Sequence, residues 1–298
     1  MIRAVAFGAL LSLSLANQAG AEQGSSAPAT PTQNPSTKSA NQSPAGALGN
    51  FDTSGSSGPV EIDASEGIEW RRDESVYIAR GNARAARGDL SVSADSLIAH
   101  YREATGGKTT IYMVEADGGV VILSKDARIV GDRAVYDLDK GSAIITGKDL
   151  KATSKQSLVT ARDSLEYWKK QGAVVARGNA RAVDHAKGQE VRADLLTGYF
   201  RADDKGEMKL YQVQATGNVQ ISSNGSVARA AKAVYNYEND VASLDGMVKI
   251  TRGKNQINGE HAVYNVKTGQ AKVTGGGSQV KTLLVPGSDS SVGGILKP

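Results

Sequence analysis

The 298-residue chain has no cysteine, and that absence removes disulfides, thiol chemistry and cysteine-built zinc or iron–sulfur centres. Histidine is nearly as scarce: His100, His185 and His261 stand far apart, with no HxxxH-type spacing for a metal. Aromatics make up only 5% of the chain, against 34 glycines, a composition of turns and small side chains and not of thick globular cores. An excess of one charge is missing too. The 35 basic residues face 31 acidic ones, and no Lys/Arg run occurs, so no nucleic acid is expected as a partner. No G-x-S-x-G elbow, G-x-x-x-x-G-K-[ST] loop or H-E-x-x-H motif is present. The chain therefore reads as a non-enzyme, with no catalytic residue, no metal site and no cofactor.

Long apolar runs are lacking except at the start. There Arg3 precedes an apolar stretch from Ala4 to Leu15, followed by the A-x-A pattern Ala19-Gly20-Ala21. The stretch is shorter than the about 20 residues that span a bilayer, and the order of features is that of a cleaved secretory signal peptide over residues 1–21. No Cys follows it, which excludes a lipoprotein anchor, so the mature protein is expected to be soluble outside the cytoplasm. Residues 22–58 are rich in Ser, Pro, Gln and Asn and too poor in apolar surface to offset their chain entropy; they read as a disordered linker. Order is expected from "PVEIDA" onward, over residues 59–286, with 287–298 as a flexible tail.

What is present is repetition. The heptapeptide "ARGNARA" spans Ala79 to Ala85 and recurs, 97 residues later, from Ala176 to Ala182. Gly81, Gly119, Gly147, Gly178, Gly217 and Gly246 mark six modules, and Gly275 closes the series. The spacings of 38, 28 and 31 and then 39, 29 and 29 divide it into two units of 97 residues. "GDRAVYDLDKGSAIITG" and "GEHAVYNVKTGQAKVTG" match in their A-V-Y core, turn Gly and closing Thr-Gly. Each module also carries one Tyr of the set Tyr101, Tyr136, Tyr167, Tyr199, Tyr235 and Tyr264, which reads as core or lumen.

Within a module the period is two, that of a strand, as in "GNVQISSNGSVARAAKAVYNYE" with its Asn224-Gly225 hairpin turn. Similar turns are read at Asp139-Lys140-Gly141, Asp204-Lys205-Gly206 and Lys267-Thr268-Gly269. Small residues at two places per module predict long strands that bend at two corners and so contribute to two facing sheets. Stacked hairpins of this kind make an elongated roll.

Three stretches carry a family resemblance. They are "PVEIDASEGIEW", "ARGNARAARGDLSVSADSLIAHY" and "LDGMVKITRGKNQINGEHAVYNVKTGQAKV" with the following "VKTLLVP". In these the chain resembles the LptA/OstA-like periplasmic lipopolysaccharide-transport family. The resemblance implies an all-β fold, an elongated, open, V-shaped antiparallel β-jellyroll of stacked repeats with an apolar inside. It implies a bridge that carries lipopolysaccharide, held by its lipid A part, from an LptC-like inner-membrane protein to an LptD-like outer-membrane translocon. It implies head-to-tail homo-oligomers, pairing edge to edge, in the periplasm. This chain departs from the family by one extra 97-residue unit. Three added hairpins lengthen such a roll by roughly 25–30 Å.

By position, Val60 and Ile62 match interior sites of the family's first strand. Leu90, Val92, Leu97 and Tyr101 follow the interior phase around Ala94-Asp95, and Tyr136, Leu138, Tyr264 and Val266 match the A-V-Y module. Ile122 joins this lipid-binding set, although "GVVILS" is apolar on both faces and leaves its orientation open. Two other classes compete: a polysaccharide-acting β-solenoid enzyme, for which no convergent acidic or basic face stands out, and a structural or polysaccharide-binding envelope repeat without lipid transport.

Overall fold

The computed structural model describes residues 60–285, apart from 105–107, 205–207, 224, 266, 267 and 269. The expected signal peptide, linker and tail lie outside the described residues, as do Val266 and several of the expected turn positions. Among the described residues the chain is strands joined by turns and loops, and its one helical element is a short 3-10 turn, Lys169–Gln171.

The first unit contributes β1 (Glu61–Asp63), β2 (Gly67–Arg71), β3 (Val76–Arg87), β4 (Leu90–Ala104), β5 (Lys108–Leu123), β6 (Ala127–Asp137), β7 (Ser142–Thr146) and β8 (Leu150–Ser154). The second contributes β9 (Ser157–Ala161), β10 (Ser164–Trp168), β11 (Ala173–Asp184), β12 (Gln189–Ala202), β13 (Met208–Ser223), β14 (Ser226–Asn236), β15 (Val241–Arg252), β16 (Asn255–Asn265), β17 (Gln270–Thr274) and β18 (Lys281–Leu283). Every strand pairing is antiparallel.

Four of the strand positions are split. β1 and β2 both pair with β3, β7 and β8 both pair with β6, β9 and β10 both pair with β11, and β17 and β18 both pair with β16. Each split pair equals one full-length strand broken at its corner. With the ten unbroken strands they make fourteen rungs, stacked over roughly 60–65 Å. The split rungs close and open the units. β7 and β8 of the first unit pair directly with β10 and β9 of the second, so the two units join strand to strand at an internal seam.

Each strand bends once, not twice as expected from sequence. The two small-residue sites in a module are the single corners of two successive strands. β3, β5, β11, β13 and β15 each carry one extra residue there, seen as a register shift such as Arg80 to Ala83 against Ser96 to Ala94. The extra residue sits in a pair with positive φ: Gly81-Asn82, Gly118-Gly119, Gly178-Asn179, Gly217-Asn218 and Gly246-Met247. In the second module the equivalent of Gly81 is thus Gly118, one before the marker read from the sequence.

The neighbouring strand explains why the first of the pair is glycine. A Cβ on Gly118, Gly178 or Gly217 would collide with the carboxylate of Asp95, Asp163 or Asp194, and one on Gly246 would meet Ala231. Asp194 also accepts a 2.8 Å hydrogen bond from Asn218 Nδ2. The corner is therefore built by a left-handed glycine on one strand and a short, mostly acidic side chain on the next.

On either side of this spine the two arms of the sheet fold over one apolar cluster. It contains Ala79, Leu97, Ile145, Leu165, Leu196 and Leu244 from one arm and Ile122, Ile129, Ala152, Val191 and Ile221 from the other. Alanine is abundant in it, with Ala83, Ala94, Ala180, Ala193 and Ala230 at the corner, where the arms converge. The architecture is an open, V-shaped antiparallel β-jellyroll, elongated by repetition.

Candidate functional site

Residues directly opposed in neighbouring strands share a face. Following the pairs across the sheet traces the interior. Along one arm a row begins Trp70, Tyr77, Ala99, Val114, Tyr136, Ala143. It continues through Tyr167, Val174, Gly198, Val213, Tyr235, Ala242, Tyr264 and ends at Ala271. It crosses all fourteen rungs without a charged side chain, and its only polar side-chain atoms are the hydroxyls of its tyrosines and the indole N–H of Trp70. Two residues nearer the corner a second row runs from Ile68 through Leu97, Ile145, Leu165 and Leu244 to Val273, equally apolar. On the other arm a third runs from Ile62 through Val92, Ile122, Ile129, Val191, Ile221 and Ile257 to Thr282, and Thr282 is its only polar member.

These rows lie the length of the roll, at right angles to the strands. A bound acyl chain inside the V would meet methyl, methylene and ring surface at every step. Each CH₂ it buries contributes about 0.8 kcal/mol, and equivalent rungs offer equivalent sites, so movement along the rows needs no passage through water.

The expected site residues distribute as follows. Leu97, Ile122 and Tyr264 are buried members of the core cluster, and Leu90, Val92 and Tyr136 pack against it half-buried. Ile122 points inward, beside Val120, while Leu123 is exposed; the orientation left open by "GVVILS" is thereby settled. Tyr101 is buried at the N-terminal end, where its ring lies 5.0 Å from that of Tyr77 and its hydroxyl accepts a 2.8 Å hydrogen bond from Trp70 Nε1. Ile62 faces inward, opposite Ala85, yet is exposed because β1 has a free edge. Val60 is exposed and precedes the first strand, and Leu138 is half-buried beyond the end of β6, outside the core cluster. Val266 lies outside the described residues.

The lipid-binding set read from the sequence left out the interior members of the second unit, Leu165, Val191, Ile221 and Leu244 among them, although Tyr167 and Tyr235 were read as core or lumen. The signal was available in the repeat, since Tyr167 and Tyr235 belong to the same one-per-module series as Tyr136 and Tyr264.

Charge is kept off the rows. Glu115, on the outer face, bonds His100 Nε2 at 2.9 Å and pairs with Arg133, and those partners hold its carboxyl below its ordinary range, chiefly through Arg133. Arg102 donates two 2.8 Å hydrogen bonds to Asp139 across neighbouring turns, and Arg201 pairs with Glu238 one unit later. Glu166 is buried beside the seam. Burial pushes its carboxyl up, and hydrogen bonds from Arg177 at 3.0 Å, Ser164 at 2.6 Å and Trp168 at 2.9 Å more than offset that, leaving it below the usual value. Among the described residues no group of His, Asp and Glu could hold a metal ion, and no helix is long and apolar enough to cross a membrane.

Bent rungs wrapped around an unbroken apolar interior define the class: an elongated antiparallel β-jellyroll built from repeats. The family model for "LptA/(LptD N-terminal domain) LPS transport protein" matches residues 61–172 and again 158–270, and the chain belongs to that family. The two matches overlap over 158–172, the split rung β9–β10, which closes one copy and opens the next. Among solved structures, LptH, "the LptA homologous periplasmic component of the conserved lipopolysaccharide transport device from Pseudomonas aeruginosa", is similar, at 19% identity and a TM-score of 0.36 over 44% of this chain and 95% of that one. No curated protein matches.

Proposed function

We propose that this chain is a periplasmic, non-enzymatic carrier that holds lipopolysaccharide by the acyl chains of its lipid A part. In this reading it passes the lipid from an LptC-like inner-membrane protein to an LptD-like outer-membrane translocon. Head-to-tail assembly of copies extends the groove. The observation that carries the reading is the continuity of the three interior rows over fourteen rungs. A structural repeat protein needs a core, but it does not need uncharged, predominantly apolar rows from one end to the other. Family membership supports the lipid's identity. The exposed apolar residues at the two ends, Ile62, Ile68 and Trp70 at one and Leu283 and Leu284 at the other, support entry and exit there.

The test is a photo-crosslinker at Ile62, Tyr136 or Tyr264 in cells making lipopolysaccharide. Capture of lipopolysaccharide is expected from these positions and not from Glu61 or Asp137, which have the opposite phase. Capture only from the latter pair would overturn the reading.

A further inference from the structure

We infer that the second unit carries a continuous hydrogen-bonding row for the saccharide head of the lipid. In the first unit the same row is broken by apolar residues, so the two units divide the ligand between them. The inference rests on the carrier reading above and deepens it by assigning residues to the polar part of the ligand.

The row lies on the inner face of the arm that holds Val191 and Ile221, two residues farther from the corner. Asp184 opposes Gln189, Gln189 opposes Ser223, and Ser223 opposes Ser226. Ser226 opposes Arg252, and Arg252 opposes Asn255. Residues two apart on a strand share a face. Two places nearer the corner on these strands stand Ala182, Val191, Ile221, Ala228, Ile250 and Ile257, all in the third apolar row. Five of the six polar residues are buried, Asn255 completely.

The first unit fills the equivalent places differently. Gln189, Ser223 and Ser226 follow Leu90, Ser124 and Ala127 by 99 residues, and Asp184 follows Arg87 by 97. Ala127 is a buried member of the core cluster, and Leu90 packs against it. The fold thus accepts leucine and alanine at these places, and folding does not call for the polar residues of the second unit. Burial of a polar group costs stability unless it finds a hydrogen bond. Ser223 is 4% exposed, and its Oγ has no hydrogen-bond partner among the described residues.

The chemistry of the row selects its ligand. Hydroxyls and side-chain amides both donate and accept, which matches a neutral polyol. A phosphate favours a cluster of cations. The row holds one, Arg252, and the nearby Lys187 lies 3.9 Å from the carboxylate of Asp184. The polar group that fits is therefore a saccharide, with its acyl chain on the apolar row one step inward.

The test gives the second unit the residues of the first, Gln189→Leu with Ser226→Ala, in the full chain. Three probes are titrated: a fluorescent lipopolysaccharide, dodecyl maltoside, and dodecanoate, which has the same chain length and no sugar. The exchanged protein should bind lipopolysaccharide and the maltoside about tenfold more weakly and dodecanoate within about twofold of native. It should unfold at the native midpoint or above, since apolar groups replace buried polar ones. Ser124→Ala, at the first-unit counterpart of Ser223, should leave all three affinities within about twofold. Unchanged affinity for the maltoside, or an equal loss for dodecanoate, would overturn the inference, and a lowered midpoint beside either would assign the row to folding. Displacement of the maltoside by free maltose at equal concentration would also overturn it, as the mark of a free-sugar site. In each of these cases capture of lipopolysaccharide by the native protein leaves the carrier reading standing. A native protein that captures none of the three probes removes both.

Discussion

Arg177 reaches across from β11 to donate a 3.0 Å hydrogen bond to Glu166 on β10, at the rung where the second unit begins. The carboxylate is buried and is also bonded by Ser164 and Trp168, so its charge is balanced inside the joint. Replacing Arg177 by Ala leaves that charge short of a partner and is expected to cost about 1–3 kcal/mol in thermal or urea unfolding. By contrast Arg102→Ala removes an exposed pair with Asp139 and should cost less than about 1 kcal/mol.

The pH dependence follows from the same contact. The folded-state pKa of Glu166 is depressed, so its contribution is present above the unfolded carboxylate pKa and is lost as pH falls through the folded value. Glu166→Gln should lower stability at neutral pH and flatten its decline below about pH 4.5. A variant with the same acid-limb slope as the native protein would show that Glu166 does not titrate with folding.

Glycine at the corner is expected to be indispensable where the neighbour is acidic. Gly217 has φ +77 and no room for a Cβ beside Asp194. Gly217→Ala should therefore cost about 1–3 kcal/mol for the left-handed backbone and more for the collision. Gly188, at φ +61 with open space around it, isolates the backbone cost, so Gly188→Ala should be milder. Adding Asp194→Ala to Gly217→Ala should recover the collision component and leave the backbone component. Equal losses at Gly188 and Gly217 would show that the carboxylate does not shape the corner.

Much of this was legible in the sequence because a strand repeats every two residues and a repeat protein says the same thing many times. The A-V-Y modules and the alternation in "GNVQISS" mark interior positions without any structure. The number of bends was not legible. A small residue looks the same whether it bends its own strand or makes room for its neighbour's corner, and the glycine and the Ala-Asp site opposite it are one corner seen twice. Ile122 was ambiguous for a related reason: β5 is apolar on both faces, and only its pairing with Val92 and Ile129 assigns it to the interior. On the strands without the extra residue the inward phase slips by one at the bend, from Ala94 to Leu97 in β4, which conceals the rows from simple alternation. The split of β7 from β8 left no mark beyond Gly147, read as one more module marker.

That assignment of Ile122 can be checked directly. Ile122→Asp places a carboxylate in the core cluster and should prevent stable folding, while Leu123→Asp, one residue on and exposed, should change stability by less than about 0.5 kcal/mol. Circular dichroism and thermal unfolding of the two proteins decide it, and comparable losses would mean that both faces of β5 are covered.

Lipid capture should follow the same division between faces. Tyr136 and Val135 are adjacent on β6 and both half-buried, so the unfolding midpoint of each glutamine variant is measured beside its affinity. Only Tyr136 belongs to the interior row, between Val114 and Ala143, whereas Val135 lies on the outer face between Glu115 and Ile144. An acyl chain lying along the row meets the Tyr136 ring and, in Tyr136→Gln, an amide that must be desolvated instead. The ring surface lost is worth about 1–3 kcal/mol, so affinity for a fluorescent lipopolysaccharide should fall about tenfold or more. Val135→Gln should leave affinity within about twofold. The comparison varies the face at adjacent positions of one strand, with the loss of stability measured for each. An equal loss of affinity in both would detach lipid capture from the interior rows and place it elsewhere on the chain.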